Sequence, residues 1–151
     1  MKAARVFALG AWCAIAAARI GAQTDSAAKR DLALLQGEWS MLWGESDGQR
    51  FAGFMLAGSK RVATGNETTV TIGGALFMKA SFTLDPAKSP SAIDYAVTGG
   101  ATAGKKQLGI YRITGDTVQF CFAEPGVARP TEFSAPAGSN RMCSGWKREK
   151  K

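Results

Sequence analysis

The chain reads as all-β: a small antiparallel barrel or sandwich of about eight strands, preceded by one short helix. Three observations carry that expectation. Eighteen glycines punctuate short runs rich in Val, Ile, Thr and Phe, the pattern of many strands joined by tight turns. The turn signals recur along the whole chain, with no internal repeat and no linker that would split it. One hairpin, Leu108 to Ala123, can be paired residue by residue. With 151 residues, 46% of them hydrophobic, the chain is long enough for one modest domain.

The first segment, residues 1–22, has the make-up of a signal peptide. Lys2 and Arg5 give a positive start, Val6 to Ala18 is a short apolar run, and small residues follow in Ala16-Ala17-Ala18 and Ile20-Gly21-Ala22. The run is short for an uncleaved anchor, and no stretch approaches the roughly 20 apolar residues of a spanning helix. Trp12 directly before Cys13 argues against a lipid-modified cysteine. The protein is therefore expected to be exported, to a periplasmic or extracellular location, with no membrane span after cleavage. Losing residues 1–22 removes Lys2, Arg5 and Arg19 and no acid, lowering the net charge from +7 to about +4.

Residues 23–30 are polar and expected to be loose, and the barrel domain is placed at 31–151. Leu32 and Leu35 fall on one side of a short helix that Gly37 would stop. The strand from Glu38 alternates Trp39, Met41 and Trp43 on one face with Ser40 and Leu42 on the other, until residues 44–49 turn it. Arg50 to Gly58 gives no clear pattern. "RVATGNETTVTIGG" reads as two strands about a Gly65-Asn66 turn, and "ALFMKASFTLD" follows the Gly73-Gly74 turn. "DPAKSPS" is turn chemistry, with two prolines and side chains that bond local backbone. "AIDYAVT" is the next strand.

In "LGIYRITGDTVQFCFA" a two-residue Gly115-Asp116 turn sets Ile113 against Val118, Tyr111 against Phe120 and Gly109 against Phe122 on the core face. Arg112/Gln119 and Ile110/Cys121 fall on the outer face, with Cys121 half-exposed. A slip of one residue would invert every side chain, so the register is well specified. A long Pro- and Gly-marked loop, "EPGVARPTEFSAPAGSN", leads to the last strand, "RMCSGWKR".

Several chemistries are disfavoured. The chain has no histidine, which excludes Ser-His and Cys-His pairs and weakens transition-metal sites. No C-x-x-C motif and no phosphate-binding loop occur. The carboxylates Asp85, Asp94, Glu124 and Glu132 lie in turns and loops that supply no evident raised-pKa environment, so no catalytic residues, cofactor or metal are expected. Basic residues are scattered rather than interleaved with aromatics, which argues against nucleic acid. Cys121 and Cys143, the two cysteines left after export, lie in strands and are either a disulfide or two small buried hydrophobes.

Gly37-Glu38-Trp39 marks the step from helix to first strand. Glycine tolerates the backbone of a helix end, and Trp39 is large enough to plug a barrel floor beneath the helix. A basic residue late in the chain, Arg148 or alternatively Lys147, could stack on that indole for about 0.5–1 kcal/mol where exposed. This arrangement resembles the lipocalin-like one. The blocks "LLQGEW" (34–39), "LDPAKSPSAIDY" (84–95), "LGIYRITGDTVQFCFA" (108–123) and "GVARPTEFSA" (126–135) are similar to an uncharacterised bacterial, Planctomycetes-type lipocalin-like domain family. The resemblance implies a barrel and export, and no activity. "MCSGW" (142–146) departs from the aliphatic last strand that the resemblance leads one to expect.

The leading functional expectation is a non-catalytic exported barrel that binds a small, largely apolar ligand, with Trp43, Tyr111 and Phe120 lining the cavity. Arg129 is either a holder of an anionic ligand group at the mouth or, the preferred reading, a pin for its loop through Asp94 or Glu132, with Phe133 docked on the barrel. The alternative is a filled barrel that meets an envelope protein or polymer through loops 85–94 and 124–136, where Lys88 and Ser89 would be exposed.

Overall fold

A computed structural model describes residues 13–150. The expected leader's charged start and the first half of its apolar run lie outside the described residues. The chain folds as α1 (Cys13–Leu35), β1 (Gly37–Ser46), β2 (Gln49–Arg50), α2 (Gly53–Ala57), β3 (Lys60–Thr64), β4 (Glu67–Ile72), β5 (Ala75–Asp85), β6 (Ser91–Gly100), β7 (Lys106–Thr114), β8 (Thr117–Ala123) and β9 (Arg141–Arg148). Each of β3 to β9 pairs antiparallel with the next, and β1 joins β3 on one side and β9 on the other. The eight long strands therefore close into an antiparallel barrel, as in a lipocalin-like fold. Closure leaves no long sheet edge unpaired.

Helix α1 is longer than the short helix expected around Leu32 and Leu35. Residues 23–30, expected to be loose, are helical. The run from Ser26 to Leu35 is rich in Ala, Leu, Lys and Arg, all good helix formers, and that propensity outweighs its polarity. Among the described residues no helix is long and apolar enough to cross a membrane.

One end of the barrel is sealed by the helix. Gly37 sits at φ +104°, a conformation a side chain would strain, and turns the chain from α1 into β1. Trp39 then enters the barrel with no exposed surface, its Nε1 donating to Leu35 O at 3.0 Å. Arg148 lies over the indole, 4.2 Å from the ring centroid, and donates to Gln36 O at 2.7 Å and to Leu34 O. Gln36 ties the helix end to the β3–β4 turn through both Gly65 N and Gly65 O. Trp39, Gly37 and Arg148 thus occupy the positions of the expected plug, and Lys147, on the other face of β9, is exposed.

Trp43 is not where alternation places it. The β1–β9 register shifts between Met41 and Trp43, leaving Leu42 as an extra residue. A bulge of one residue moves everything beyond it to the other face. Met41 therefore points into the core while Trp43 lies outside, across Gly145, where any Cβ would overlap the indole.

On that outer face Trp43 and Phe133 pack over a second cluster of Ile110, Cys121, Ala135 and Cys143. Cys121 and Cys143 are register partners on β8 and β9 and form a disulfide. The β7–β8 pairing is the one read from the sequence, yet Ile110 and Cys121 are fully buried rather than surface residues. The loop 124–140 folds back over them and excludes water. Arg129 holds the loop, donating to Ile93 O and Gly109 O at 3.2 and 2.8 Å and pairing with Asp94 Oδ1 at 2.6 Å.

The unusual last strand resolves into its two faces. Cys143 and Gly145 face out, toward the disulfide and Trp43; Ser144 and Trp146 face in, with Trp146 Nε1 donating to Ser144 Oγ at 2.8 Å.

Candidate functional site

The interior is divided along the barrel axis. The sealed half is packed solid by Trp39, Met41, Phe82, Tyr111 and Val118. The other half holds a cavity of about 490 Å³ that opens at the far end. Its walls come from β3, β4, β6, β8 and β9: Arg61, Val70, Tyr95, Phe122, Ser144 and Trp146. Lys105, Arg141 and Glu124 ring the mouth, with Phe77 and Met142 as apolar rim. That volume lies within the range of about 300–1,000 Å³ usual for small-molecule sites.

Arg61 dominates this cavity. The two-residue turn at 65–66 pairs Arg61 with Val70, and because Thr68 and Val70 face inward, so does Arg61. It is 6% exposed. Its guanidinium lies 4.2 Å from the Phe120 ring centroid, with the Trp146 and Tyr95 rings at 5.4 and 5.8 Å. Its Nη1 donates to Tyr95 Oη at 2.6 Å and to Thr68 Oγ1 at 3.3 Å. Nε has no partner, and among the described residues no carboxylate pairs with the side chain. Taking such a charge out of water costs several kcal/mol. Desolvated cation–π contacts return about 2 kcal/mol or more. The neutral hydroxyls add directed bonds but no counter-charge.

Tyr95 cannot supply that counter-charge. Burial pushes its hydroxyl above the usual tyrosine value, more strongly than the adjacent Arg61 charge and hydrogen bond pull it down. The phenol therefore stays protonated at neutral pH, and its own O–H is left as a donor beside the guanidinium.

The residues expected to line a ligand cavity are dispersed. Trp43 is outside the barrel, by the bulge described above. Tyr111 points inward but at the sealed end, its hydroxyl donating to Asp31 Oδ2 at 2.7 Å. Phe120 is interior and reaches the cavity only through Arg61, which covers its ring. Arg129 is the loop pin, with its donors committed to Ile93, Gly109 and Asp94. Alternation along "KRVAT" alone would send Val62 inward and Arg61 out. The turn at 65–66 together with the inward Thr68/Val70 face was the signal that could have placed it.

Of the carboxylates considered for catalysis, Asp85 and Asp94 line one small hollow of about 70 Å³ with Lys88 and Arg129, and Glu124 and Glu132 lie apart from it. Asp94 is held by Arg129, Asp85 accepts from Ala87 N in its own turn, and Glu124 and Glu132 line different cavities. Among the described residues no group of three or more His, Cys, Asp or Glu could hold a metal.

A second, wider depression of about 950 Å³ lies outside the barrel at the sealed end. It runs between α1, the 86–91 turn, the β7–β8 hairpin and residues 131–133. Comparison of the chain with family profiles, with curated proteins and with solved structures returns no match.

Proposed function

We propose that this chain is an exported, non-catalytic lipocalin-like barrel that holds one small, largely apolar molecule in its open half. The observation that carries this reading is the asymmetry of the interior. A barrel stoppered at one end by Trp39 and α1 keeps a cavity of about 490 Å³ at the other, walled by Val70, Phe122 and Trp146. A barrel serving only as a scaffold would gain stability by filling that space, since unfilled volume forfeits packing. Export rests on the composition of residues 1–22, and the Cys121–Cys143 disulfide fits an oxidising compartment.

The test uses the neutral fluorescent probe N-phenylnaphthylamine. Saturable one-to-one binding with quenching of tryptophan emission is expected, because Trp146 forms part of the wall. A probe that stays unbound, in protein whose unfolding is cooperative, overturns the reading. N-terminal sequencing of protein recovered outside the cytoplasm tests export; a chain still starting at Met1 defeats it.

One observation favours a second reading. The two loops named as contact loops from sequence, 85–94 and 124–136, converge on the depression at the sealed end, where Lys88, Ser89 and Glu132 line one surface. An envelope protein or polymer would dock there without entering the barrel.

A further inference from the structure

We infer that the molecule held in the barrel carries an acidic head, a carboxylate, which enters first and is gripped by Arg61 and Tyr95 while its apolar tail extends toward the mouth. This rests on the cavity reading above and names the class of ligand that reading leaves open.

Three observations lead there. Arg61 places a full positive charge in the cavity wall, 94% shielded from water in its residue surface and with no carboxylate among the described residues to answer it. Among the described residues its Nε is an N–H donor with no acceptor and almost no accessible surface, so that part of the charge is desolvated with nothing to offset it. Tyr95, bonded to the same guanidinium, still has its O–H to give. Arg61 and Tyr95 thus set a charged donor group and a neutral hydroxyl side by side in the cavity wall, a pairing that suits an acidic head. One cation matches a single negative charge, so a carboxylate suits the site better than a phosphate dianion, which would bury a surplus charge.

The remainder of the cavity sets the rest of the molecule. Beyond Arg61 the walls carry Val70, Phe77, Met78, Phe122 and Met142, interrupted by Thr102, Gln107 and Ser144. An unbranched or lightly branched hydrocarbon tail fills such a tube. Lys105 and Arg141 at the mouth outnumber Glu124 and attract an anion before it enters. The same mouth charges define the competing orientation, with the head outside and the tail buried against Arg61. That orientation would leave the guanidinium's charge facing hydrocarbon.

The experiment compares decanoate, decanol and decylamine as displacers of N-phenylnaphthylamine from the full chain, in wild type and in Arg61→Met, Arg61→Lys and a Lys105→Met/Arg141→Met double variant. Wild type is expected to bind decanoate at least ten-fold tighter than decanol and to reject decylamine. Arg61→Met is expected to abolish that preference while still binding the neutral probe, which shows that the barrel is intact; Arg61→Lys keeps the charge and should keep part of the preference. The mouth variant should slow association and leave the preference within about two-fold. Equal binding of acid and alcohol by wild type, or a preference that survives Arg61→Met, overturns the inference and leaves the cavity reading standing. A preference lost in the mouth variant instead of in Arg61→Met shows a head-out orientation and also overturns it. If neither the probe nor any decyl compound binds, the cavity reading itself falls, and this inference with it.

Discussion

The two ends of the barrel each stack an arginine on an aromatic ring, and the difference between them separates architecture from site. At the sealed end Arg148 lies 4.2 Å from Trp39 and gives its hydrogens to the carbonyls of Leu34, in the last turn of α1, and Gln36, just beyond it. Those carbonyls are left over at any helix C-terminus and carry the negative end of its dipole. Every part of Arg148 therefore closes an account that the fold itself opens. At the open end Arg61 lies at the same 4.2 Å from Phe120, yet its partners are two neutral hydroxyls, one donor is unmatched, and a cavity adjoins it. The same pair of chemical groups is complete in one place and incomplete in the other.

The comparison breaks first if the sealed end is not structural. Trp39→Ala removes the largest fully buried side chain from the floor, and with it the Nε1 bond to Leu35 O. A loss of about 3–5 kcal/mol is expected, read as a shift in the urea midpoint, with α1 detached from the barrel. A loss below about 1 kcal/mol would mean that the stopper is ornamental. Next comes the disulfide, which closes a chain separation of 22 residues. Replacing Cys121 and Cys143 together by alanine should cost about 3 kcal/mol by the loop-entropy relation. It should also loosen the loop 124–140 packed over the bond, visible as faster amide exchange there while the Trp39 end keeps its protection.

The direct contest is between the arginines. Arg148→Met strands two helix-end carbonyls and should lower stability by about 1–2 kcal/mol. Arg61→Met places a flexible apolar chain where an unanswered charge stood, and without ligand it should be neutral or stabilising by about 1 kcal/mol. Opposite or clearly unequal shifts in thermal midpoint sharpen the contrast. Equal losses would make Arg61 mortar for the Phe120, Tyr95 and Trp146 rings, and the comparison would collapse.

Which of these features could be read from the sequence follows from how local their causes are. The β7–β8 register was legible because a Gly-Asp turn between alternating runs determines it within sixteen residues. The Trp39 stopper was legible because the helix end, the glycine and the indole adjoin in the chain, whereas Arg148 reaches it from the last strand. Trp43 was misplaced by the single extra residue at Leu42, which no pattern of polarity announces. Ile110 and Cys121 read as surface because their cover, the loop 124–140, comes from elsewhere in the chain. The disulfide stayed open for a similar reason: pairing of β8 with β9 decides it, and that pairing is not local. Arg61 was hidden by its type. An arginine in a strand is ordinarily taken as outward, and an inward one is visible only through its hairpin partner Val70.

The finest probe of the two ends is the pair of tyrosines, the only two in the chain. Both are held protonated by burial, but their charged neighbours have opposite signs. Tyr95 has Arg61, which pulls its proton affinity down against the larger effect of burial. Tyr111 has Asp31, whose hydrogen bond and charge push the same way as burial, with only Ser91 opposing. In both, the folded value lies above that of an unfolded tyrosine, about 10. The stability each contributes is thus fully present below pH 10 and erodes as pH rises from there toward the folded value. In an absorbance titration at 295 nm the native protein should therefore show less phenolate at pH 10.5 than urea-unfolded protein, which is largely ionised. Asp31→Asn should bring one tyrosine's ionisation to lower pH, and Arg61→Met should move the other to higher pH, since it removes a cation that favoured the phenolate. Two substitutions shifting the same observable in opposite directions is the outcome required if the ends differ as described; a shared direction would show that burial alone governs both, and that the charge of Arg61 is screened from the cavity it lines.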